Sequence, residues 1–525
     1  MFLNKISATL IRVSALIDYN IHNTLEKQHE FRKEVILADV TLTEDEKSVA
    51  LNYLNQMFDN GKINYNEGTK RICENCQEET LATLYCEHCI RNCLKATFSS
   101  WTSGNNCIDN LIQYCQMKVC APYKIAEWIP YNKLQKIEYL TKGGCSEIYA
   151  ADWIDGLYYK VDNQEQQLKR IGICEKVILK RLKNVENAKE SWFEEGKSHL
   201  TISNKWDDIV KCYGLTKDPE NGSYMLVLQR MNMDLRKYLQ ENHHKLTWKE
   251  RINVMFYIVM ALSRIHNENA IHRDLHSGNI LQLAQSFFIS DLGFCGPADK
   301  PLNSLYGNLP YIAPEVIAGK ETTFASDIYS FAMLMWEISS GQPPFVNYEH
   351  NYDLALKVIN GMRPKVMTGT PLEYRILMEQ CWDADPSKRP NIVYIYNEFL
   401  KIKLLYHQYE NNEQQINDDS SVNSIARKFS KVHIFEDLPE PRNATEAFHN
   451  NDSMQHNLSI PHKIEDITEQ NNSTKIDDKN EVKGKSKRIY SDQSDDDEKK
   501  NLTDDNFKKV KLNNNEGGKI MNKKI

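Results

Sequence analysis

The sequence predicts a mixed α+β fold in its middle half, with a helical and cysteine-rich segment before it and a polar tail after it. Three observations carry that expectation. Residues 130–400 alternate short β-like runs with long stretches of helical periodicity. Residues 1–70 place apolar side chains at helical spacing behind a helix-start pattern. Residues 411–525 contain only 28 apolar residues in 115, with no Trp and no Cys, too few to bury a core, and are expected to be disordered. The whole chain, 525 residues with 41% apolar and 26% charged, otherwise has the make-up of a protein with a sizeable core. Its net charge of −7 divides into −3 for the tail and −4 for the rest. Neither part has the basic bias that would point to nucleic acid or an anionic membrane.

In residues 1–70, Thr43-Glu44-Asp45-Glu46 has the form of a capping box. Val49, Ala50, Tyr53, Leu54, Met57 and Phe58 then follow with the period of one helix face, so a packed helix pair is expected. The N-terminal apolar run is broken by Arg12, Ser14 and Asp18, and no small-residue cleavage pattern follows, which argues against a secretory signal. The longest apolar run, residues 254–262, falls far short of the ~20 residues a membrane-spanning helix needs. An intracellular, cytoplasmic protein with reduced thiols is expected.

Eight of the 13 cysteines lie between Cys73 and Cys120. Cys73-x2-Cys76 and Cys86-x2-Cys89 form two knuckles nine residues apart, and four thiolates so arranged suit tetrahedral Zn²⁺. Residues 71–125 are therefore read as a structural zinc module, with His88 and Cys93 as substitute ligands and Cys107, Cys115 and Cys120 as packing residues. Lys70, Arg71, Arg91 and Lys95 are balanced by Glu74, Glu78, Glu79 and Glu87, which disfavours a nucleic-acid knuckle. A folding nucleus or an adaptor for signalling partners is expected instead.

Within residues 130–400, an apolar run enters Thr141-Lys142-Gly143-Gly144-Cys145-Ser146 and leaves through Ile148, the pattern of a hairpin whose turn can approach phosphate. Val177-Ile178-Leu179-Lys180 reads as a short strand, and Glu195, fifteen residues on, sits in a helical stretch from which it could pair with Lys180. The most informative segment is Ile271-His272-Arg273-Asp274-Leu275-His276-Ser277-Gly278-Asn279-Ile280-Leu281. After it, Phe287-Phe288-Ile289-Ser290 leads into Asp291-Leu292-Gly293. Carboxylate and amide oxygens suit Mg²⁺, and a separate carboxylate can orient a hydroxyl nucleophile. Ala313-Pro314-Glu315, Asp327-Ile328-Tyr329-Ser330-Phe331, Cys381-Trp382 and Arg389-Pro390 complete the series.

In order and spacing these segments resemble the H-R-D-L-x-x-x-N, D-x-G and A-P-E signatures of the eukaryotic protein kinase superfamily. The resemblance covers about residues 130–402. It is most similar to the tyrosine-kinase-like group of serine/threonine kinases, in an expanded fungal branch where a Cys-rich segment precedes the kinase. It implies a bilobal fold, a β-rich N-lobe (about 134–230) over a helical C-lobe, with ATP between them. It also implies roles. Lys180 would hold the α/β-phosphates and pair with Glu195; Asp274 would orient the substrate hydroxyl; Asn279 and Asp291 would hold Mg²⁺. Thr141, Lys142, Gly143, Gly144, Cys145, Ser146 and Ile148 would cover the nucleotide. Ile178, Leu281 and the hinge from Gln229 to Met231, behind Leu228, would meet the adenine. Leu292, His272 and His199 match the apolar spine joining the lobes, and Glu315 with Arg389 matches a buried ion pair of the large lobe. Arg273 implies control by an activation-segment phosphate, with Ser304 and Tyr306 as candidates.

The sequence departs from the pattern at several points. Thr141 and Ser146 replace glycines, Cys145 an aromatic, Ile178 an alanine and Asn308 a threonine. His276 stands where serine/threonine kinases carry a phosphate-contacting lysine. A nucleotide-binding scaffold without phosphotransfer is thus the second reading. Leu309-Pro310-Tyr311-Ile312-Ala313 resembles the serine/threonine form. In the tail, basic clusters at residues 485–488 and 508–511 resemble nuclear-import signals, and Ser494 precedes an acidic run.

Overall fold

The computed structural model describes residues 2–18, 21–142, 146–162, 165, 167–182, 191–293, 295–297, 308–413 and 442–443. Gly143, Gly144, Cys145, Ser304, Tyr306 and nearly all of the tail therefore lie outside the described residues.

The chain opens with α1 (Phe2–Ala15), α2 (Leu25–Ala38) and α3 (Glu44–Tyr65), which share a small core of Ile6, Val13, Ile36, Leu42, Ala50 and Leu54. The expected helix pair is thus a trio. α3 starts where the sequence indicates: the Thr43 hydroxyl accepts the Glu46 N–H at 3.2 Å and the Glu46 carboxylate accepts the Thr43 N–H at 2.9 Å. Its expected apolar face is only partly buried. Ala50 and Leu54 are covered, but Tyr53 and Met57 are exposed, because they line an open cleft shared with the cysteine-rich segment and residues 157–161.

That segment holds the short antiparallel pair β1 (Arg71–Ile72) and β2 (Glu79–Thr80), then α4 (Glu87–Ala96), α5 (Asn106–Met117) and β3 (Glu127–Trp128). The next strands are β4 (Leu134–Lys142), β5 (Ser146–Trp153), β6 (Tyr158–Asp162), β7 (Gln167–Arg170) and β8 (Glu175–Leu182). α6 (Ser191–Ser198) follows and widens into a π-helical turn, His199–Ser203, before β9 (Cys212–Lys217) and β10 (Tyr224–Gln229). One six-stranded sheet results, in the order β3-β9-β10-β8-β5-β4. Every pairing in it is antiparallel except β3 with β9. That parallel edge depends on Gly214, whose φ is +146°: a Cβ there would lie 1.8 Å from the Glu127 carbonyl oxygen.

Strand alternation divides this sheet between two cores. Val177, Leu179, Met225 and Val227 point to one face with Trp153 and Tyr213. Leu226 and Leu228 point to the other, where Ile108, Leu111 and Ile112 of α5 pack with Leu200 beyond α6, and Trp101, Trp128, Ile178 and Phe193 adjoin them. Residues of 101–112 and Trp128 thus pack the cysteine-rich segment onto the N-lobe sheet. Of the cysteines assigned to packing, Cys120 is buried and Cys115 half-buried, but Cys107 is exposed, because it falls on the solvent side of the first turn of α5.

The helical lobe comprises β11 (Met233–Asp234), α7 (Leu235–Asn242), α8 (Trp248–Asn267), β12 (Ala270–Ile271), β13 (Ile280–Leu283), β14 (Ser286–Ile289), β15 (Gly296–Pro297), α9 (Pro314–Ile317), α10 (Phe324–Ser340), α11 (Tyr352–Ile359), β16 (Met362–Arg363), α12 (Leu372–Cys381) and α13 (Ile392–Glu413). α10 is buried along nearly its whole length and centres the largest core. α13 runs past residue 402, the end of the resemblance, to Glu413. Among the described residues no helix is long and apolar enough to cross a membrane.

Polar ties join the N-terminal helices to the lobes. Asn60 donates to the Tyr123 hydroxyl at 2.6 Å and to Asp207 at 3.1 Å, and Asn64 donates to the Lys205 carbonyl at 3.3 Å. Arg264 of α8 reaches the Tyr65 hydroxyl at 2.6 Å. α3 thus contacts both the turn that follows α6 and the first long helix of the lower lobe.

Candidate active site

Two carboxylates and one lysine meet where the sheet faces the lower lobe. Alternation along β8 turns Lys180 away from the Val177–Leu179 core. Its Nζ lies 2.7 Å from Glu195 Oε1 on α6 and 2.6 Å from Asp291 Oδ1 just after β14. Burial opposes the charge on Lys180, but Asp291 and Glu195 outweigh it and hold its pKa above the ordinary value. Burial likewise pushes the Asp291 carboxyl up, and Lys180 more than reverses this, keeping it ionised. Burial raises Glu195 against the pull of Lys180. The result is a fixed cation between two acids.

The β13–β14 hairpin sets the second half of the site. Its register places Ile280 opposite Ile289 and Leu281 opposite Phe288, so the loop before β13 and the turn after β14 emerge at one end. Asn279 Nδ2 donates to the Asp274 carbonyl at 2.9 Å and to Asp274 Oδ2 at 3.2 Å, which leaves the amide oxygen for another partner. Ser290 Oγ and N–H both bond the Asn279 carbonyl, at 2.9 and 2.8 Å. Arg273 and Asp291 hold positive φ, +69° and +56°, conformations that non-glycine residues adopt only where the surroundings enforce them.

Those surroundings include a residue the sequence marks without a role. Asp327, buried at the start of α10, accepts the N–H of His272 at 2.8 Å and of Arg273 at 2.9 Å, and pairs with His266 Nε2 at 2.9 Å. Burial opposes its ionisation, but the His266 bond and its neighbours hold its carboxyl below the usual range. A second support under the loop was also not assigned: Tyr311 donates to Glu337 at 2.5 Å and stands 3.4 Å from Ser277. The sequence signal for both was present only as an Asp at a helix start and a Tyr before Ile-Ala-Pro-Glu.

The remaining expected residues fall as follows. His276 Nε2 is 3.7 Å from Asp274 Oδ2, while its Nδ1 accepts the Gly278 N–H at 3.1 Å. Ile148 lies opposite Lys180, and Ile178 lies opposite both Ala150 and Leu228. Ile148, Ile178, Gln229, Met231 and Leu281 are all half-buried, as walls of a cleft would be. Thr141 and Lys142 end β4 and Ser146 begins β5. Leu292, His272 and His199 are fully buried. His199 accepts the Leu292 N–H on Nε2 at 3.2 Å, and burial, then Lys180, push its pKa down to about 3, so it is neutral. Glu315 and Arg389 form the expected buried pair with two bonds of 2.7 Å.

Away from this centre, Cys73, Cys76, Cys86 and Cys89 converge, with every sulfur within 4.8 Å of the others. Cys73 and Cys89 are 3.7 Å apart and Cys76 and Cys86 3.5 Å. A tetrahedron with Zn–S bonds of about 2.3 Å has edges of about 3.8 Å, so this donor set fits the ion. Burial raises the Cys73 thiol, but the N–H groups of Cys76 and Asn75 win and hold it down at about 7. Burial pushes Cys86 up to about 11 and Cys89 higher still. The two substitute ligands stand apart: His88 bonds the Glu79 carbonyl at 3.1 Å, and Cys93 lies outside the four-sulfur group.

This geometry, two lobes with a lysine bridging two acids and a paired Asp and Asn below, is that of a protein kinase catalytic domain. The chain belongs to the protein tyrosine and serine/threonine kinase family, whose model matches residues 134–399. It is similar to a probable serine/threonine-protein kinase, pats1, of Dictyostelium discoideum: 27% identity over 296 residues, 52% of this chain and 9% of that protein. A dual serine/threonine and tyrosine protein kinase of Canis lupus familiaris is 31% identical over 196 residues, 35% of this chain and 21% of that one. A putative serine/threonine-protein kinase/receptor of Acanthamoeba polyphaga mimivirus is 30% identical over 149 residues, 28% of this chain and 9% of the viral protein. The chain thus spans about a fifth or less of the length of these relatives.

Proposed function

We propose that this protein transfers the γ-phosphate of ATP to a serine or threonine hydroxyl of a protein substrate. The observation that carries the reading is the Lys180 ammonium held at 2.7 and 2.6 Å from Glu195 and Asp291. Mg²⁺·ATP, when bound, supplies the phosphoryl group and the charge that shields it. Lys180 then meets the α/β-phosphates, with Glu195 fixing its position. Asn279 and Asp291 offer the hard oxygens that hold Mg²⁺. Asp274, fixed by the Asn279 amide, orients the hydroxyl and takes its proton. His276 faces the transferring phosphate in place of lysine. Ile148, Ile178, Gln229, Met231 and Leu281 contact the nucleotide, with Thr141, Lys142, Gly143, Gly144, Cys145 and Ser146 above it. Arg273 receives an activation-segment phosphate. In this division residues 130–402 are the catalytic domain, 1–70 a helical extension, 71–125 a zinc module and 411–525 a polar tail.

Incorporation of phosphate into a generic protein substrate tests the reading, with Asp274→Asn as the control that should abolish it while leaving the thermal melt unchanged. Zinc in the four-cysteine group is supported by the sulfur spacing and by the lowered Cys73 thiol. Signalling partners of the extension and a cytoplasmic location, with the basic clusters at residues 485–488 and 508–511 as nuclear-import signals, complete the proposal.

A further inference from the structure

We propose that His199 is a positioning residue that pins the backbone carrying Asp291 to the helix carrying Glu195 through a hydrogen bond from the Leu292 N–H. The inference rests on the kinase reading above and adds a residue to it. His199 opens the π-helical turn one helical turn beyond Glu195. Its Nε2 accepts the Leu292 N–H at 3.2 Å. Leu292 is fully buried, so without that acceptor its N–H would be left unsatisfied. It directly follows Asp291, whose φ of +56° needs restraint from its surroundings. Asp291 Oδ1 is tied on its side-chain end to Lys180 at 2.6 Å and to the Gly293 N–H at 3.2 Å. The His199 bond adds a main-chain tie one residue away.

The cost of using an imidazole here points the same way. An Nε2 that accepts leaves the proton on Nδ1, and Nδ1 is buried with no hydrogen-bond partner among the described residues. A leucine of similar volume would pack beside Leu292 and His272 without burying that N–H. Packing alone therefore favours an aliphatic residue, and what the imidazole adds is the acceptor.

Three variants of the full chain separate acceptor from packing. His199→Gln keeps an acceptor at the reach of Nε2; His199→Leu and His199→Met keep apolar volume only. Turnover at saturating Mg²⁺·ATP should fall about tenfold in Leu and Met, the loss of one buried hydrogen bond, and stay within about threefold of wild type in Gln. Thermal melts of Leu and Met should stay close to wild type, because an unsatisfied Leu292 N–H replaces the unsatisfied His199 Nδ1–H. Full turnover in Leu or Met, or a markedly lower melting temperature in both, would assign His199 to packing and overturn the proposal. If Leu alone fails to fold, the Met and Gln pair decides. An inactive wild type would instead condemn the kinase reading and this inference with it, whereas an active wild type with a fully active Leu variant condemns only the inference.

Discussion

The Lys180 ammonium and the Asp291 carboxylate lie 2.6 Å apart, although 111 residues separate them in sequence. One comes from the upper sheet and the other from the hairpin of the lower lobe. Their contact therefore reports that the two lobes are closed on a common centre, and the predictions below concern what holds that closure together.

Glu315 and Arg389 make a buried pair with two 2.7 Å bonds at 3% and 0% side-chain exposure. Removing one partner leaves the other charged and unpaired. Glu315→Ala should cost about 3–5 kcal/mol of stability, read as a lowered urea midpoint. An unchanged midpoint would show that the pair carries no folding role.

Asp327 supplies a pH-dependent contribution. Its folded pKa is depressed, so its stabilisation is fully present above its unfolded value of about 3.9 and is lost as pH falls below that. Asp327→Asn should lower stability near neutrality by about 1.5–3 kcal/mol, the range for a hydrogen bond to a charged group, and make the acid limb of the stability curve shallower. Equal acid limbs in the two proteins would contradict this.

The four-sulfur group predicts close to one equivalent of zinc per chain in the purified protein, released by a chelator with loss of structure in residues 71–125. Cys76→Ser should reduce the metal content. Protein without zinc, equally stable with and without chelator, would refute the site.

Ile112 of α5 is fully buried in the core shared by the extension and the N-lobe sheet. Ile112→Ala should cost about 2–5 kcal/mol and shift the melt of the N-lobe with it. A melt unaffected by the substitution would mean that the extension folds independently.

How much of this was legible in the sequence depends on range. Short-range signals read well: the capping box at Thr43–Glu46 formed as written, and the Asp274–Asn279 spacing returned as a hydrogen-bonded pair. Lys180 and Glu195 were pairable from the motif order. Contacts set by long-range packing were not legible. Nothing local to Asp327 tells that two N–H groups more than fifty residues earlier will bond it. Tyr53 and Met57 carry the right period, yet among the described residues they line an open cleft and stay exposed. Likewise His199 reads as a spine residue by position, while its bond to Leu292 needs the π-helical turn that only the fold supplies.

The most direct test of the central claim is transfer of labelled γ-phosphate from Mg²⁺·ATP by the full chain, with wild type compared against Asp274→Asn and Lys180→Met. The account predicts turnover in wild type and a fall of at least about a hundredfold in each variant, with the Asp274→Asn protein melting as wild type does. Wild-type-like turnover in the Asp274→Asn protein, or no transfer by a folded wild type, would contradict it.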